Sequence, residues 1–186
     1  MRLFAAIDIE PQIQDKIRQI QRELKREADR FDKKVRWVRP EQIHLTLKFL
    51  GEVPERAIMQ VCDVMTRTAA ECDSFDFRIQ GLGVFGRPAR VVWAGCELPS
   101  ELIKIQTRLE SEFEKIGWDK ENRPFAGHLT ICRVKSAAAG RKLTEAIKTY
   151  RDKFLGSVSV DQLVLYESRL GSAGPEYTAV CTAPLR

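Results

Sequence analysis

Apolar and polar positions change their period several times along the chain, and each change marks an element. Leu3 to Ile9 is a near-continuous apolar run that reads as a buried strand. Pro11 to Arg30 is largely polar, with Ile13, Ile17, Ile20 and Leu24 at helical spacing. Val35 to Val38 is a short β-type run; Arg39-Pro40 breaks it, and Ile43 to Leu50 alternates until Gly51 ends the strand. Pro54 opens a second predicted helix, striped by Ile58, Val61, Val64 and Met65 and ending near Cys72. Phe75 to Val84 and Val91 to Ala94 predict a hairpin around the turn residues Gly83 to Pro88. A third helix starts at Pro99-Ser100, keeps Leu102, Ile105, Leu109, Phe113 and Ile116 in period, and stops before Gly117. Gly127 to Val134 predicts another strand, Arg141 to Tyr150 a short helix, and Val158 to Tyr166 and Glu176 to Cys181 two strands around a Gly-Ser-Ala-Gly-Pro turn.

Helices and hairpins are therefore interleaved, and no low-complexity stretch, flexible linker or solenoid period divides the 186 residues, so one domain over residues 1–186 is expected. One long-range repeat stands out: residues 44–47 read His-Leu-Thr-Leu and residues 128–131 read His-Leu-Thr-Ile, each inside a predicted strand. Two similar lobes would account for it.

Composition narrows the picture further. Hydrophobic content of 44% with 31% charged residues excludes a disordered chain, and a net charge of +5 favours an anionic partner without specifying one. The five cysteines (Cys62, Cys72, Cys96, Cys132, Cys181) are odd in number and form no Cys-x-x-Cys pair, so reduced thiols are expected. No apolar run has the length of a membrane span, and no basic-then-apolar leader opens the chain; a cytoplasmic protein with no membrane association is expected.

The chain has only two histidines, and both sit in the repeat. A chance match of both contexts is on the order of one in 10⁴ or rarer, so the pairing outweighs the ordinary reading of a lone strand histidine as structural. On a strand, residues i and i+2 share a face. His44 and Thr46 therefore project together, while Ile43, Leu45, Leu47 and Phe49 point into the core; His128 and Thr130 likewise project over Leu129 and Ile131. Imidazoles titrate near neutrality, so one can accept a proton while the other donates one, and the hydroxyls can hydrogen-bond phosphoryl oxygens. A metal site is disfavoured, because two histidines without Asp, Glu or Cys at ligand spacing make an incomplete set. The two motifs are near-equivalent, so the residues alone leave open which histidine is the acid. Lys48 has the parity of His44 and offers a cation or a solvated side chain; Phe4 and Tyr166 offer stacking surfaces or ordinary core.

With these residues in view, the chain resembles the 2H phosphoesterase superfamily, and within it the RNA 2',3'-cyclic phosphodiesterases also described as 2'-5' RNA ligases. The likeness spans nearly the whole chain. It is carried by Arg2-Leu-Phe-Ala-Ala-Ile7, His44-Leu-Thr-Leu-Lys-Phe-Leu-Gly-Glu52, Gly83-Val-Phe-Gly with Arg90-Val-Val-Trp-Ala-Gly95, Arg123-Pro-Phe-Ala-Gly-His-Leu-Thr-Ile-Cys-Arg133 and Leu165-Tyr-Glu-Ser-Arg-Leu170. Gly127 stands where many relatives carry proline. The resemblance implies a bilobal α+β fold: two antiparallel sheets related by a pseudo-twofold around a central groove, with helices outside. It implies hydrolysis of a terminal 2',3'-cyclic phosphate to a 2'-phosphate without metal or other cofactor, on RNA ends that include tRNA halves, and in some members reversible 2'-5' joining. It also implies that His44 donates a proton to the leaving 3'-oxygen, that His128 activates water, and that Arg133 binds phosphate. Simple alternation places Arg133 opposite His128, so a bulge or an early strand end is needed to reconcile the two readings. A monomer is expected. Two alternatives stay open: a phosphodiesterase for a small cyclic nucleotide or a 2'-5' oligonucleotide, and a non-catalytic RNA-end binding module.

Overall fold

The structure, a computed structural model, describes residues 1–171 and 174–186, and Arg30 and Asp32 by their backbone alone. Among the described residues, nine strands and four α-helices follow the order β1 (Arg2–Asp8), α1 (Pro11–Glu27), β2 (Val35–Trp37), β3 (His44–Glu52), α2 (Ile58–Ala70), β4 (Phe75–Phe85), β5 (Val91–Cys96), α3 (Ser100–Lys115), β6 (His128–Val134), α4 (Ala137–Ala146), β7 (Phe154–Val160), β8 (Gln162–Gly171) and β9 (Gly174–Pro184). The strands form two antiparallel sheets, β3-β1-β8-β9 in a first lobe and β2-β6-β5-β4-β7 in a second.

Helix placement repeats between the lobes. β1 is followed by α1, which packs across on β7 of the second lobe, and β3 is followed by α2, which packs on β8 and β9 of its own sheet. In the second half, β5 is followed by α3, which packs across on β3, and β6 by α4, which returns to its own sheet. This βαβα unit, used twice, is the pseudo-twofold that the repeated motif anticipates. The apolar stripes supply the core: Ile13, Ile17, Ile20 and Leu24 from α1, Val61, Val64 and Met65 from α2, and Leu102, Ile105, Leu109 and Phe113 from α3 are all buried.

Several boundaries differ from the sequence reading, each for a local reason. α1 stops at Glu27 because Leu24 and Ala28 are its last buried positions; the chain continues as a 3₁₀ stretch, Asp29–Lys34, up to β2. α4 begins earlier than Arg141, at Ala137, where the Ser136 hydroxyl accepts from the Ala139 amide and caps it. The run Val158 to Tyr166 is not one strand: it breaks at Asp161, sending β7 to the second sheet and β8 to the first. The turn around Ser172 and Ala173 lies outside the described residues. The expectation of reduced thiols is corrected at two positions, since Cys62 of α2 and Cys181 of β9 form a disulfide. Burial pushes the thiol of Cys132 up to about 12 and that of Cys96 upward as well. No helix among the described residues is long and apolar enough to cross a membrane.

Candidate active site

β3 and β6 meet along a groove between the lobes, and each breaks its alternation at the same place. Along β3, Ala6 pairs with Thr46 and Ala5 with Lys48, leaving Leu47 as an extra residue; along β6, Trp93 pairs with Thr130 and Val92 with Cys132, leaving Ile131 extra. These are β-bulges three residues after each histidine. The Ile131 carbonyl accepts from the Val38 amide at 3.0 Å and from the buried Gln21 amide side chain at 3.2 Å, so α1 and the end of β2 both hold the second bulge in place.

A bulge inverts the parity of everything beyond it. In β6 it returns Arg133 to the face of His128 and Thr130, which resolves the conflict between alternation and resemblance in favour of a bulge. In β3 the same inversion overturns two expectations. Phe49, expected in the core, is 67% exposed and lines the groove. Lys48, expected to share a face with His44, is buried instead: its ammonium lies 2.5 Å from Glu110 of α3 and 2.5 Å from the Asp119 carbonyl. A cation engaged in that way is not available to a ligand in the groove. Glu110 is further satisfied by Gln106 and by the Glu121 amide, so the pair fastens the segment that leads to His128.

The groove holds a cavity of about 290 Å³ lined by His44, Thr46, His128, Thr130 and Arg133, with Phe4 as part of its wall. Both imidazoles are anchored alike, through Nδ1: His44 donates to the Gln42 carbonyl at 2.9 Å and His128 to the Ala126 carbonyl at 2.7 Å. A carbonyl can only accept, so Nδ1 carries hydrogen in both rings and Nε2 is the atom free to give or take a proton. Gly127 precedes His128 because a Cβ there would collide with Leu98, which permits the close approach of this loop to its neighbour.

The surroundings of the two rings differ. His44 stacks on Phe4 with centroids 4.7 Å apart and meets Tyr177 edge-on at 5.2 Å. Burial holds its pKa below the ordinary 6.5, opposed by the Gln42 carbonyl and the charge of Asp8. Asp8 is the register partner of His44 and accepts from the Tyr166 hydroxyl at 2.8 Å. Tyr166 thus stands behind Phe4, at a stacking distance of 5.6 Å, outside the main cavity and with its hydroxyl committed to Asp8. His128 instead meets Phe85 edge-on at 4.9 Å, and its register partner is Gly95.

The sequence reading missed several lining residues. Arg36 and Trp37 reach the groove because β2 pairs with β6, placing Arg36 opposite Arg133. Arg2, Arg39 and Tyr177 line it too, and the side chain of Gln42 ties the rim to β9 through the Pro175 carbonyl at 2.6 Å. Arg36 and Arg133 are close enough to Tyr177 to draw its pKa down against the stronger upward effect of burial. Only the alternation of Val-Arg-Trp-Val hinted at an outward Arg36; its pairing partner lies far away in sequence. Chemically, the arrangement offers two proton-transfer nitrogens, two hydroxyls and a concentration of guanidinium groups, which suits a phosphorylated ligand.

Comparison with known proteins agrees with this geometry. The profile of the LigT like phosphoesterase family matches residues 7–93 and 97–177. The chain is 37% identical over 180 residues to the RNA 2',3'-cyclic phosphodiesterase of Methanothermobacter thermautotrophicus, covering 96% of this chain and 95% of that protein. It is 35% identical to the protein of the same name from Thermotoga maritima, covering 95% and 91%. Its fold matches the crystal structure of E. coli LigT complexed with 3'-AMP at a TM-score of 0.80 and 30% identity, covering 99% of this chain and 97% of that one. The bulged pair of His-x-Thr strands, the doubled βαβα unit and these full-length likenesses together establish that the chain belongs to the LigT-like phosphoesterase family.

Proposed function

We propose that this protein is an RNA 2',3'-cyclic phosphodiesterase that opens a terminal 2',3'-cyclic phosphate to a 2'-phosphate, with His44 as acid and His128 as base. The single observation that carries the reading is that both Nε2 atoms are left free by matching Nδ1 anchors on strands that line one cavity. His128 Nε2 takes a proton from water as the water oxygen bonds to phosphorus. The bond from phosphorus to the 3'-oxygen breaks, and His44 Nε2 gives that oxygen its proton. Thr46 and Thr130 donate to the non-bridging oxygens, and Arg133 neutralises their charge. The names of the relatives and the full-length likeness to them support this substrate class.

Burial favours the neutral form of His44 in the free protein, so its role as acid requires proton uptake when the anionic phosphate enters, with the Asp8 carboxylate adding to the same effect. Joining, in which a 5'-hydroxyl takes the place of water, uses the same two nitrogens in the same roles. His128 takes the hydroxyl's proton as its oxygen bonds to phosphorus, the bond to the 3'-oxygen breaks with His44 protonating it, and a 2'-5' bond results; cleavage of that bond exchanges the roles. The test is turnover of a 2',3'-cyclic nucleotide in the presence of EDTA. The proposal expects a 2'-phosphate product and its loss in His44→Ala and in His128→Ala; retained turnover in either folded variant, or a 3'-phosphate product, would refute it.

A further inference from the structure

The cavity has the volume of a small ligand, whereas a 2',3'-cyclic phosphate sits at the 3' end of a polymer whose remaining nucleotides must leave the groove through the 5'-oxygen. The surface around the groove is uneven in charge. Many cations elsewhere are matched: Arg18 by Asp15 and Glu41, Arg108 by Glu71, Lys115 by Glu112, Lys120 by Glu114, Lys142 by Glu27 and Lys148 by Glu145. Unmatched cations occur elsewhere too, but at one edge of the second lobe they lie together. Arg133 and Arg36 sit opposite each other on β6 and β2, and the strands carry on beyond them: the Lys135 amide donates to the Lys34 carbonyl at 2.8 Å, and the Val134 amide to the Arg90 carbonyl at 2.7 Å. Lys34, Arg36, Arg90, Arg133 and Lys135 are all exposed, and none has a carboxylate partner among the described residues.

Two further features favour a nucleic-acid strand as the partner. The exposed Phe49 lines the same cavity as Arg36 and Arg133, so an aromatic face and cations adjoin in the groove, the combination that binds single strands through stacking and phosphate contacts. The edge also begins at the catalytic groove and runs roughly 20 Å from His128 to Lys135, since β-strands rise about 3.3 Å per residue. Among the described residues the first lobe has no equivalent, because β2 is a fifth strand without a counterpart there, and at the matching end of β1 and β3 the register pairs Arg2 with Glu52.

We propose that the RNA chain 5' of the cyclic phosphate leaves the groove over this edge, passing Arg36 and Arg133 and then Lys34, Arg90 and Lys135. The substrate end rests on the function proposed above; the path of the polymer rests on the charge and geometry of the edge. Lys34, Arg90 and Lys135 thereby make the protein prefer a polymer over a mononucleotide and leave the reaction at the phosphate unaltered.

The experiment pairs two readouts on the wild type and on the triple variant Lys34→Glu, Arg90→Glu, Lys135→Glu, with the corresponding Gln triple as a milder second variant. The first is kcat/KM for a 2',3'-cyclic mononucleotide and for a short RNA oligomer ending in the same group. The second is equilibrium binding of a fluorescent RNA oligomer with a 3'-phosphate as salt is varied. The triple variants are expected to turn over the mononucleotide normally, to lose about 10- to 100-fold on the oligomer at low salt, and to flatten the log–log salt dependence of binding by about 0.7 for each phosphate no longer neutralised. An unchanged salt dependence overturns the path, as does an equal loss on both substrates. Absence of turnover in the wild type would instead strike at the proposed function, and the binding measurement would still decide the path.

Discussion

Set side by side, β3 and β6 are the same device in different surroundings. Each begins with a histidine held through Nδ1 by the carbonyl two residues earlier, places a threonine two residues on, and bulges at the next position. Beyond the bulge the two diverge. Phe49 in the first lobe answers to Arg133 in the second, and the ion-paired Lys48 answers to Cys132. Behind the rings, Phe4, Asp8 and Tyr166 back His44, whereas Phe85 and Gly95 take those places around His128. The scaffold is duplicated and the shell is not, so any division of labour between the two imidazoles must come from the shell.

The comparison breaks most severely at the imidazoles themselves. His44→Ala and His128→Ala are each expected to reduce kcat on a cyclic nucleotide by about 10²- to 10⁴-fold, with circular dichroism unchanged; the double variant should be far less impaired than the product of the two losses. Next comes the buried position after each bulge. Lys48→Ala strands the Glu110 carboxylate and should cost about 3 kcal/mol in denaturant unfolding, while Cys132→Ala should cost about 1 kcal/mol. Pairing Lys48→Met with Glu110→Leu should recover most of the first loss, and failure to recover it would place the cost in packing.

The groove positions two residues past the bulges should separate by charge. Arg133→Ala is expected to raise KM about 10- to 100-fold through the removal of charge-assisted hydrogen bonds, and Phe49→Ala to raise it only about fivefold through weaker stacking. A smaller effect concerns His44, the acid in the proposed mechanism. The Asp8 charge supports protonation of His44, so Asp8→Asn should move the alkaline limb of the kcat profile to lower pH, and the wild-type limb should lie higher in kcat than in kcat/KM because bound phosphate adds to that support. The smallest expected effect is on stability. Because the folded pKa of His44 lies below 6.5, the unfolded chain takes up its proton first, so stability falls as pH drops below about 6.5; His44→Gln should lessen that fall in thermal melts.

The parts legible in the sequence were those with short-range causes. The alternation that sets His44 and Thr46 against Leu45, and His128 and Thr130 against Leu129, depends only on strand geometry, and the stripes of α1, α2 and α3 only on helical period. What alternation could not supply was the bulge, because one unpaired residue is fixed by the partner strand and by Gln21 reaching from α1. That single-residue insertion explains the misplacing of both Lys48 and Phe49. The resemblance placed Arg133 on the ligand face where counting alone would not. Arg36 and Trp37 escaped notice because β2 joins β6 across nearly a hundred residues of chain, and the Cys62–Cys181 bond because no spacing rule links such distant thiols.

β2 also bears on how the molecule holds together. It lies in the chain between β1 and β3 of the first sheet yet completes the second, while β8 and β9 come back from the second lobe to close the first. Neither half is a continuous stretch that could be excised whole. The two sheets are laced through one another, so loosening one unthreads the other, and heat should undo them in a single cooperative step with the groove never outlasting its walls.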